Sequence, residues 1–191
     1  MKTTIIIAHP WHGSFNKAIL DVIEKEFNNK EKIIIDLNKD EFNPVMKETE
    51  LALFSKGQYL DEQVKKYQEI LTQSNELIFI FPIWWNNLPA ILKGFIDKVM
   101  LKNFAYKESK IGFKGLLTHI KKATVITTSQ APTWYIKWIM GNPIKSVFIR
   151  GTLHAIGIKN VKWLNHGNTT GGSDESRKRF LLIVKKHLKN R

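Results

Sequence analysis

Three clusters of polar and aromatic residues each follow an apolar run in this sequence and carry side chains that could bind a small molecule. In the first, AHPWHGSFN at residues 8–16, His9, His12 and the Ser14 hydroxyl would supply hydrogen-bond donors. A helix that starts here would add unpaired N–H groups and the positive end of its dipole, which bind phosphate without a lysine. Alternatively, Ser14 only caps that helix and His12 is a solvated loop residue. Gly13 is the only glycine of the segment, so neither a Walker loop nor a G-x-G-x-x-G motif occurs here.

The second cluster, PIWWNNLP at residues 82–89, places two tryptophans beside two asparagines. Trp84 and Trp85 offer flat apolar surfaces, and Asn86 and Asn87 offer amide donors and acceptors. This combination suits a planar heterocycle with polar edges. Alternatively, the two indoles pack in the core or at a dimer interface.

The third cluster, TTSQAPTWY at residues 127–135, begins with small hydroxyl residues. Small side chains at the end of a strand let backbone N–H groups approach a ligand, and Tyr135 would donate a phenolic hydrogen bond. Taken alone this pattern is weak evidence, because tyrosines are common in loops.

Hydrophobic patterning predicts the elements that must position these clusters. Apolar runs rich in β-branched residues occur at Thr3–Ala8, Lys32–Leu37, Leu77–Phe81, Ala123–Thr127 and, more weakly, Ile158–Leu164. Continuous rather than alternating hydrophobicity predicts strands that are covered on both faces, as in a parallel sheet. Apolar residues recur at helical spacing in Phe15–Phe27, Leu60–Leu71, Pro89–Leu101 and Ser173–Lys189, with Pro89 at a first helical position and Ser173 or Asp174 as an N-cap.

Alternating strands and helices predict one doubly wound α/β domain over residues 1–191, with five parallel strands and helices on both faces. In such a domain, ligands bind beyond the carboxyl ends of the strands, where the strand order reverses. All three clusters occupy that position. The connections Asn38–Tyr59 and Ser129–Pro143 are unusually long, and the aromatic content of the second predicts a functional loop.

The net charge suggests an anionic partner. The chain has 191 residues, with 30 Lys or Arg, 17 Asp or Glu and a formal net charge of +13. Nucleic acid, a membrane or a phosphorylated small molecule would each fit this charge. No basic-aromatic RNA motif, helix-turn-helix signal or zinc site supports nucleic acid. Residues 9–16 contain no Lys or Arg, and the basic residues of Arg177–Arg191 are expected on a solvated face.

Two absences narrow the class of protein further. Cysteine is absent, which excludes disulfides, thiolate metal sites and a catalytic thiol. No apolar run approaches the roughly 18–20 residues of a membrane span. We therefore expect a cytoplasmic protein with no integral membrane segment and no bound metal.

The order and spacing of several short motifs match a known family. The chain resembles the flavodoxin-like NAD(P)H:quinone oxidoreductase family in its short bacterial form. The matching motifs are Ala8-His9, Ser14-Phe15-Asn16-Lys17-Ala18, Phe42-Asn43-Pro44, Phe81-Pro82-Ile83-Trp84-Trp85, Leu88-Pro89-Ala90-Ile91-Leu92-Lys93-Gly94-Phe95, Thr127-Thr128 and Tyr135.

The resemblance implies a sheet of strand order 2-1-3-4-5, a bound flavin (FMN or FAD), NAD(P)H as co-substrate and a quinone or similar planar acceptor. It implies that hydride passes from the nicotinamide to the flavin and then, after the nicotinamide leaves, to the acceptor. The residues around the flavin phosphate would be His9, Ser14, Phe15, Asn16 and Ala18. Those flanking the flavin ring would be Pro82, Ile83, Trp84, Trp85 and Asn86, with Thr127, Thr128, Ser129 and Gln130 along its pyrimidine edge.

Tyr135 matches the family tyrosine beside the flavin N1/O2 edge, where negative charge develops, and is the predicted catalytic residue. Ser129-Gln130 replaces a Gly-Gly pair of the long-form enzymes, and Gly141 stands where they have a histidine. The histidine of the family's charge relay is therefore missing at this position. By residue type His119, His154 or His166 could replace it, but no spacing selects one.

The sequence leaves open FMN or FAD, NADH or NADPH, and the physiological acceptor. The family implies a homodimer in which the partner chain completes each flavin site, and the exposed apolar content expected of Trp84–Leu88 and Trp134–Met140 agrees. Two other roles stay open. One is a flavodoxin-type electron carrier, which the pI ≈ 9.8 disfavours because such carriers are usually acidic. The other is an ancillary regulatory subunit of a membrane transport protein.

Overall fold

Five parallel strands form the central sheet of the protein. In a computed structural model, which describes residues 2–27 and 31–189, these strands are β1 (Thr3–Ile7), β2 (Lys32–Asp36), β3 (Glu76–Pro82), β6 (Lys122–Thr128) and β7 (Val161–His166). Two further strands, β4 (Tyr106–Ser109) and β5 (Gly112–Gly115), form a separate antiparallel hairpin. The order of the main sheet is β2-β1-β3-β6-β7. This is the predicted flavodoxin-like order 2-1-3-4-5 once the hairpin strands are left out of the count, so the predicted fold class is confirmed.

Helices cover both faces of this sheet. They are α1 (Phe15–Glu26), α2 (Glu48–Phe54), α3 (Glu62–Thr72), α4 (Ala90–Val99), α5 (Thr133–Trp138), a π-helix (Ile144–Leu153) and α6 (Asp174–Lys189). Within the described ranges, none of these helices combines the length and the apolarity that crossing a bilayer requires.

Successive side chains of each strand point to opposite faces of the sheet, and burial of both faces explains the continuous apolar runs. Ile5 and Ile7 of β1 face a core that α1 and α6 complete, with Ile23 and Val184 among its buried residues. Ile6 faces the opposite core, which α3, α4 and the π-helix complete. Because both faces are buried, every strand residue of β1 and β3 is shielded from solvent, and a polar alternation would be costly.

The predicted boundaries differ from the observed ones for local reasons. The fifth strand of the sheet begins at Val161 rather than Ile158, because the N–H of Ile158 donates to the carbonyl of Leu153 and closes the end of the π-helix. Pro89 precedes α4 instead of starting it. Ser173, not Asp174, caps α6, since its Oγ accepts the N–H of Ser176 at 3.2 Å.

Several elements lie in segments predicted as connections or left unassigned. The Asn38–Tyr59 connection contains α2, and Ser129–Pro143 contains α5. The π-helix was not predicted because its buried apolar residues, Ile144, Phe148, Ile149 and Leu153, recur at intervals of four and five. This spacing matches i→i+5 hydrogen bonding rather than the 3.6-residue period of an α-helix.

Candidate active site

The three predicted clusters meet at the carboxyl ends of β1, β3 and β6, where they line two adjoining cavities. The first, which we call the His9 cavity, has a volume of about 210 Å³ and is lined by His9, Trp11, Ser14, Phe15, Asn16, Pro82, Ile83, Trp84, Thr128, Ser129, Gln130, Thr169 and Thr170. The second, the Tyr135 cavity, has a volume of about 570 Å³ and is lined by Ile83, Trp84, Trp85, Asn86, Ser129, Gln130, Ala131, Tyr135, Ile136 and Met140. The four residues that they share join them into one cleft.

The N-terminus of α1 supplies hydrogen-bond donors to the His9 cavity. Ser14 is its N-cap, with its Oγ accepting the N–H of Lys17 at 3.3 Å and its carbonyl accepting those of Lys17 and Ala18. Phe15 and Asn16 come earlier in the helix, where no preceding turn offers a carbonyl to their N–H groups. These two N–H groups and the helix dipole favour an anion at this point.

His9 is a neutral donor at the same place. Its Nδ1 accepts the N–H of Trp11 at 3.1 Å, so the proton of the neutral ring resides on Nε2. Burial lowers the pKa of His9 below its ordinary value, and the charge of Lys17 acts in the same direction. The imidazole therefore stays uncharged at neutral pH and can donate through Nε2.

No charged side chain lines either cavity within the described residues. The nearest basic side chain along the chain, Lys17, is buried and forms an ion pair with Asp36 at the end of β2. The first cluster therefore offers an anion a helix dipole and neutral donors rather than lysines. No cation neutralises an anion bound in this way, so its binding depends on the geometry of the hydrogen-bond donors.

Asn16 ties α1 to β6 and leaves one acceptor without a partner. Its Nδ2 donates to Oγ1 of Thr128 at 3.0 Å, and the side chain is 3% exposed. Its Oδ1 is buried with no hydrogen-bond partner. An orphaned buried acceptor destabilises a protein by about 1–3 kcal/mol. A hydroxyl or N–H of a bound group is the kind of partner that this atom lacks.

The two tryptophans lie on a tight turn that connects β3 to α4. Trp84 and Asn87 exchange backbone hydrogen bonds of 3.1 and 2.9 Å, and the central residues Trp85 and Asn86 have φ values of 49° and 61°. Positive φ at both positions defines a type I′ turn, which normally requires Gly or Asn. The turn holds the indole of Trp85 97% exposed at the rim of the Tyr135 cavity. Backbone strain of this kind is concentrated at binding sites.

The end of β6 presents Thr128 to the site and turns Thr127 away. Successive strand residues face opposite sides of the sheet. The hydroxyl of Thr127 donates to Oδ1 of Asn165 at 2.7 Å and accepts Nε1 of Trp163 at 2.8 Å. The N–H of Ser129 is also occupied, because it donates to the carbonyl of His166. In the described part of the chain, the next N–H, that of Gln130, donates to no protein group.

A fourth cluster, which the sequence reasoning missed, follows β7. Thr169 and Thr170 line the His9 cavity, and the hydroxyl of Thr170 donates to Oε1 of Gln130. Thr169 is fixed by its N–H to the carbonyl of Ser129 and by a contact of its Oγ1 with Nδ1 of His166. The signal was present, because GNTTGGS at residues 167–173 is a small-residue loop at the carboxyl end of a predicted strand.

Most of the predicted site residues are brought together, and two are not. The residues that line one or both cavities are His9, Ser14, Phe15, Asn16, Pro82, Ile83, Trp84, Trp85, Asn86, Thr128, Ser129, Gln130 and Tyr135. Ala18 lines neither, because its N–H already donates to Ser14 within the helix, and Thr127 lines neither because its side chain faces the other side of the sheet. Pro82 does not follow β3 but is its last residue, in register with Thr128.

The three histidines considered as substitutes for the missing family histidine lie outside both cavities. His119 contacts the carbonyl of Leu71 through Nε2, and His154 ends the π-helix. His166 is 5% exposed between Thr169 and Ser176, and burial, followed by the charge of Arg177, lowers its pKa. Tyr135 is 37% exposed and stands edge-on to Trp134. Its phenolic O–H is a hydrogen-bond donor in the Tyr135 cavity.

A family model described as the flavodoxin-like fold matches residues 1–188. The chain belongs to this family. Among flavodoxin-like relatives, an NAD(P)H oxidoreductase of Haemophilus influenzae is 29% identical over 187 residues, which cover 96% of this chain and 92% of the relative. An FMN-dependent NADH:quinone oxidoreductase of Mycoplasma mycoides is 34% identical over 138 residues, 70% of this chain and 65% of the relative.

A solved structure supports the same membership. The NAD(P)H:quinone oxidoreductase from Methanothermobacter marburgensis superposes with a TM-score of 0.90 at 25% sequence identity, covering 100% of this chain and 98% of that protein. The flavodoxin-like membership confirms the family resemblance that the sequence motifs suggested.

The residues present fit a flavin mononucleotide. A phosphate matches the neutral donors of the His9 cavity, namely the N–H groups of Phe15 and Asn16 and Nε2 of His9. A flat ring with polar edges matches the aromatic walls of the Tyr135 cavity and the free N–H of Gln130. The orphaned Oδ1 of Asn16 also fits a ligand that carries hydroxyl groups.

Proposed function

We propose that this flavodoxin-like protein is a flavin-dependent NAD(P)H:quinone oxidoreductase that binds FMN across the two cavities. The observation that carries the proposal is the junction of a charge-free anion site with an aromatic-walled cavity in one cleft. The names of the relatives in Mycoplasma mycoides and Methanothermobacter marburgensis support the activity, and that of the Mycoplasma mycoides relative also supports the choice of FMN. The bound flavin would supply the redox centre that takes hydride from NAD(P)H and passes it to a quinone.

The chain would hold the cofactor phosphate at the start of α1. The His9 cavity is lined by Phe15, Asn16 and His9, which supply two backbone N–H groups and the Nε2 proton, and by Ser14, which supplies a hydroxyl group. Because His9 is neutral, it donates a hydrogen bond to the phosphate without forming an ion pair with it. The site therefore positions the phosphate through several directed hydrogen bonds, which favours a single orientation of the cofactor.

The chain would stabilise negative charge on the cofactor ring through Gln130 and Tyr135. The unpaired N–H of Gln130 lies on the segment shared by the two cavities, and the Tyr135 hydroxyl lies in the larger one. Donors that are already oriented lower the barrier to a step in which negative charge develops. Trp85 and Trp134 would stack against a planar acceptor, since their indoles are 97% and 60% exposed.

We further propose that the active unit is a homodimer. Trp85 lines the Tyr135 cavity, Trp134 and Ile139 are chain neighbours of its lining residues, and all three are more than half exposed. An exposed apolar patch of this kind marks an interaction surface. A second copy of the chain would cover these residues and close the site. Sedimentation equilibrium at micromolar concentration should give twice the chain mass of 22.2 kDa. A monomer at all concentrations would contradict the dimer.

The activity is tested by the purified protein alone. It should show a visible flavin absorption band, release FMN on denaturation, and oxidise NADH or NADPH with menadione as the sole acceptor. Because no protein partner is added, turnover also separates this proposal from an electron carrier, which would reduce menadione poorly. A protein that neither contains nor takes up flavin would contradict the proposal.

A further inference from the structure

A third cavity, of about 540 Å³, lies against the edge strand β7 and the π-helix. It shares no lining residue with the His9 or Tyr135 cavities. The short helix α5 separates it from the Tyr135 cavity, because Tyr135 and Ile136 line one and Lys137 and Trp138 line the other. A concave space of this volume is the size of a small-molecule site.

The lining of this cavity is strongly basic. Five cations, Lys137, Lys145, Arg150, Lys159 and Lys162, line it together with no carboxylate. The sequence explains this, since nine Lys or Arg residues and no Asp or Glu lie between Glu108 and Asp174. Positive charge is therefore concentrated around this cavity as well as in Arg177–Arg191, where the sequence analysis expected a basic face.

None of the five cations forms an ion pair with a carboxylate in the described part of the chain. Lys159 donates to the carbonyl of His154 at 2.6 Å. All five line one cavity, and like charges gathered around one cavity repel. A bound multivalent anion would relieve this repulsion.

The π-helix is what places two of these cations on one face. Its hydrogen bonds join residues five apart, as in the N–H of His154 donating to the carbonyl of Ile149 at 2.8 Å. Lys145 and Arg150, five apart, therefore both reach the cavity. In an α-helix the same two residues would diverge by about 140°, since each residue turns the chain by about 100°. π-Helical geometry is frequent at functional sites.

Two indoles complete the cavity. Trp163 is anchored by its Nε1 to Thr127, and the Lys137 ammonium lies 5.4 Å from its ring centroid. Trp138 is 80% exposed, so a face of its ring is available to a ligand. Flat aromatic surface beside clustered cations suits a ligand with a planar ring and a multiply charged group.

We infer that this cavity is a second ligand site, which binds a nucleotide-type anion: a phosphorylated small molecule that carries a planar ring. Arg150 and Lys145 contact the phosphates, because a guanidinium binds phosphate through paired hydrogen bonds and an ammonium binds it as a point charge. Trp138 stacks on the ring. Occupancy of the site fixes α5, the helix that also carries Tyr135.

Calorimetric titration of the purified full chain with ADP and with inorganic pyrophosphate tests this inference. The variant pair is Lys145→Ala with Arg150→Ala, and the matched control is Lys178→Ala with Arg179→Ala, two α6 cations outside the cavity. Both pairs remove the same charge, so their net electrostatic effect is alike. Thermal unfolding of each variant checks that it is folded.

The cavity pair should raise the Kd for ADP by about tenfold or more, because two charge-assisted contacts are lost. The control pair should change it by less than about twofold, since screening weakens distant charges. Trp138→Ala should weaken ADP binding but leave pyrophosphate binding unchanged. Equal effects of the two variant pairs, absence of ADP binding, or equal affinity for ADP and pyrophosphate would each overturn the inference.

Two further readouts distinguish a small-molecule site in this cavity from a diffuse basic surface and from ADP binding elsewhere. A short DNA duplex that binds more tightly than ADP and responds equally to both variant pairs would reveal a diffuse polyanion surface, which overturns a small-molecule site. Flavin absorbance is recorded on the same samples, so loss of the second site is distinguished from failure of the proposed oxidoreductase function. ADP bound in the Tyr135 cavity would be insensitive to Lys145 and Arg150, which also overturns the inference.

Discussion

Substitutions at Trp85 can separate the effect of its strained backbone from the role of its indole. Trp85 has a φ of 49° and is 97% exposed, so its side chain adds little packing within the chain. A non-glycine residue with such a φ lowers the free energy of unfolding by about 1–2 kcal/mol. Glycine avoids this strain, but its greater freedom in the unfolded chain lowers the free energy of unfolding by about 0.5–1 kcal/mol. Trp85→Gly should therefore be more stable than Trp85→Ala by about 1 kcal/mol.

The comparison of these two variants isolates the turn, because both lack the indole and differ only in the Cβ. Urea unfolding of the flavin-free variants measures the free energy of unfolding, and about 1 kcal/mol corresponds to a Tm difference of about 2–4 °C for a chain of this length. Both variants should also show a raised KM for menadione, because the rim of the Tyr135 cavity has lost its ring. Equal stability of the two, or a less stable Gly variant, would refute the strain argument.

Three further predictions follow from the site. Tyr135→Phe should lower the stopped-flow rate of cofactor reduction by about tenfold or more with FMN affinity unchanged, because a hydrogen bond to a charged group contributes about 1.5–3 kcal/mol, and an unchanged rate would remove Tyr135 from the mechanism. Thr128→Val should lower the free energy of unfolding in urea by about 1–3 kcal/mol, because it leaves the buried Nδ2 of Asn16 without its acceptor; full stability would show that this bond contributes nothing. Because burial lowers the pKa of His166 below 6.5, its contribution to stability is complete above about pH 6.5 and is lost as the pH falls. The decrease in unfolding free energy from about pH 7.5 to about pH 5.5 should thus be smaller in His166→Gln than in wild type, and equal decreases would contradict this.

The strands were predictable because burial on both faces leaves a continuous apolar pattern, whereas their order was implied by the family resemblance. A run such as TTIII in β1 is uninterrupted by exposed polar residues since helices cover the sheet on either side. The start of the fifth strand was harder to place. Ile158 is apolar and completely buried, yet its N–H belongs to the turn that ends the π-helix, and hydrophobicity alone does not distinguish these two environments.

The π-helix could not be predicted from the usual helical template. Its apolar residues at Ile144, Phe148, Ile149 and Leu153 are spaced by four and five, whereas the template expects three and four. Phe148 packs edge-on against Phe79 and Phe81 of β3, and this tertiary contact stabilises a geometry that local propensity does not favour. Tertiary packing thus determined an element that the local sequence left undecided.

The site was predictable in its location and less so in its detail. The rule that ligands bind at the carboxyl ends of parallel strands located three clusters correctly. Which of Thr127 and Thr128 faces the cleft depends on the register of β6, and a one-residue change exchanges them. Thr169 and Thr170 were not predicted, because their small polar loop carries no aromatic or charged residue of the kind that marks a binding site in a sequence.

A comparison of FMN with riboflavin tests the central claim most directly. The flavin-free protein is titrated with each, and the quenching of tryptophan fluorescence gives the two affinities. The two ligands differ only in the phosphate, which we place at the N-terminus of α1 beside His9. FMN should bind one molecule per chain and at least about tenfold more tightly than riboflavin, because the phosphate gains charge-assisted hydrogen bonds. Equal affinities, or no binding of either flavin, would contradict the account.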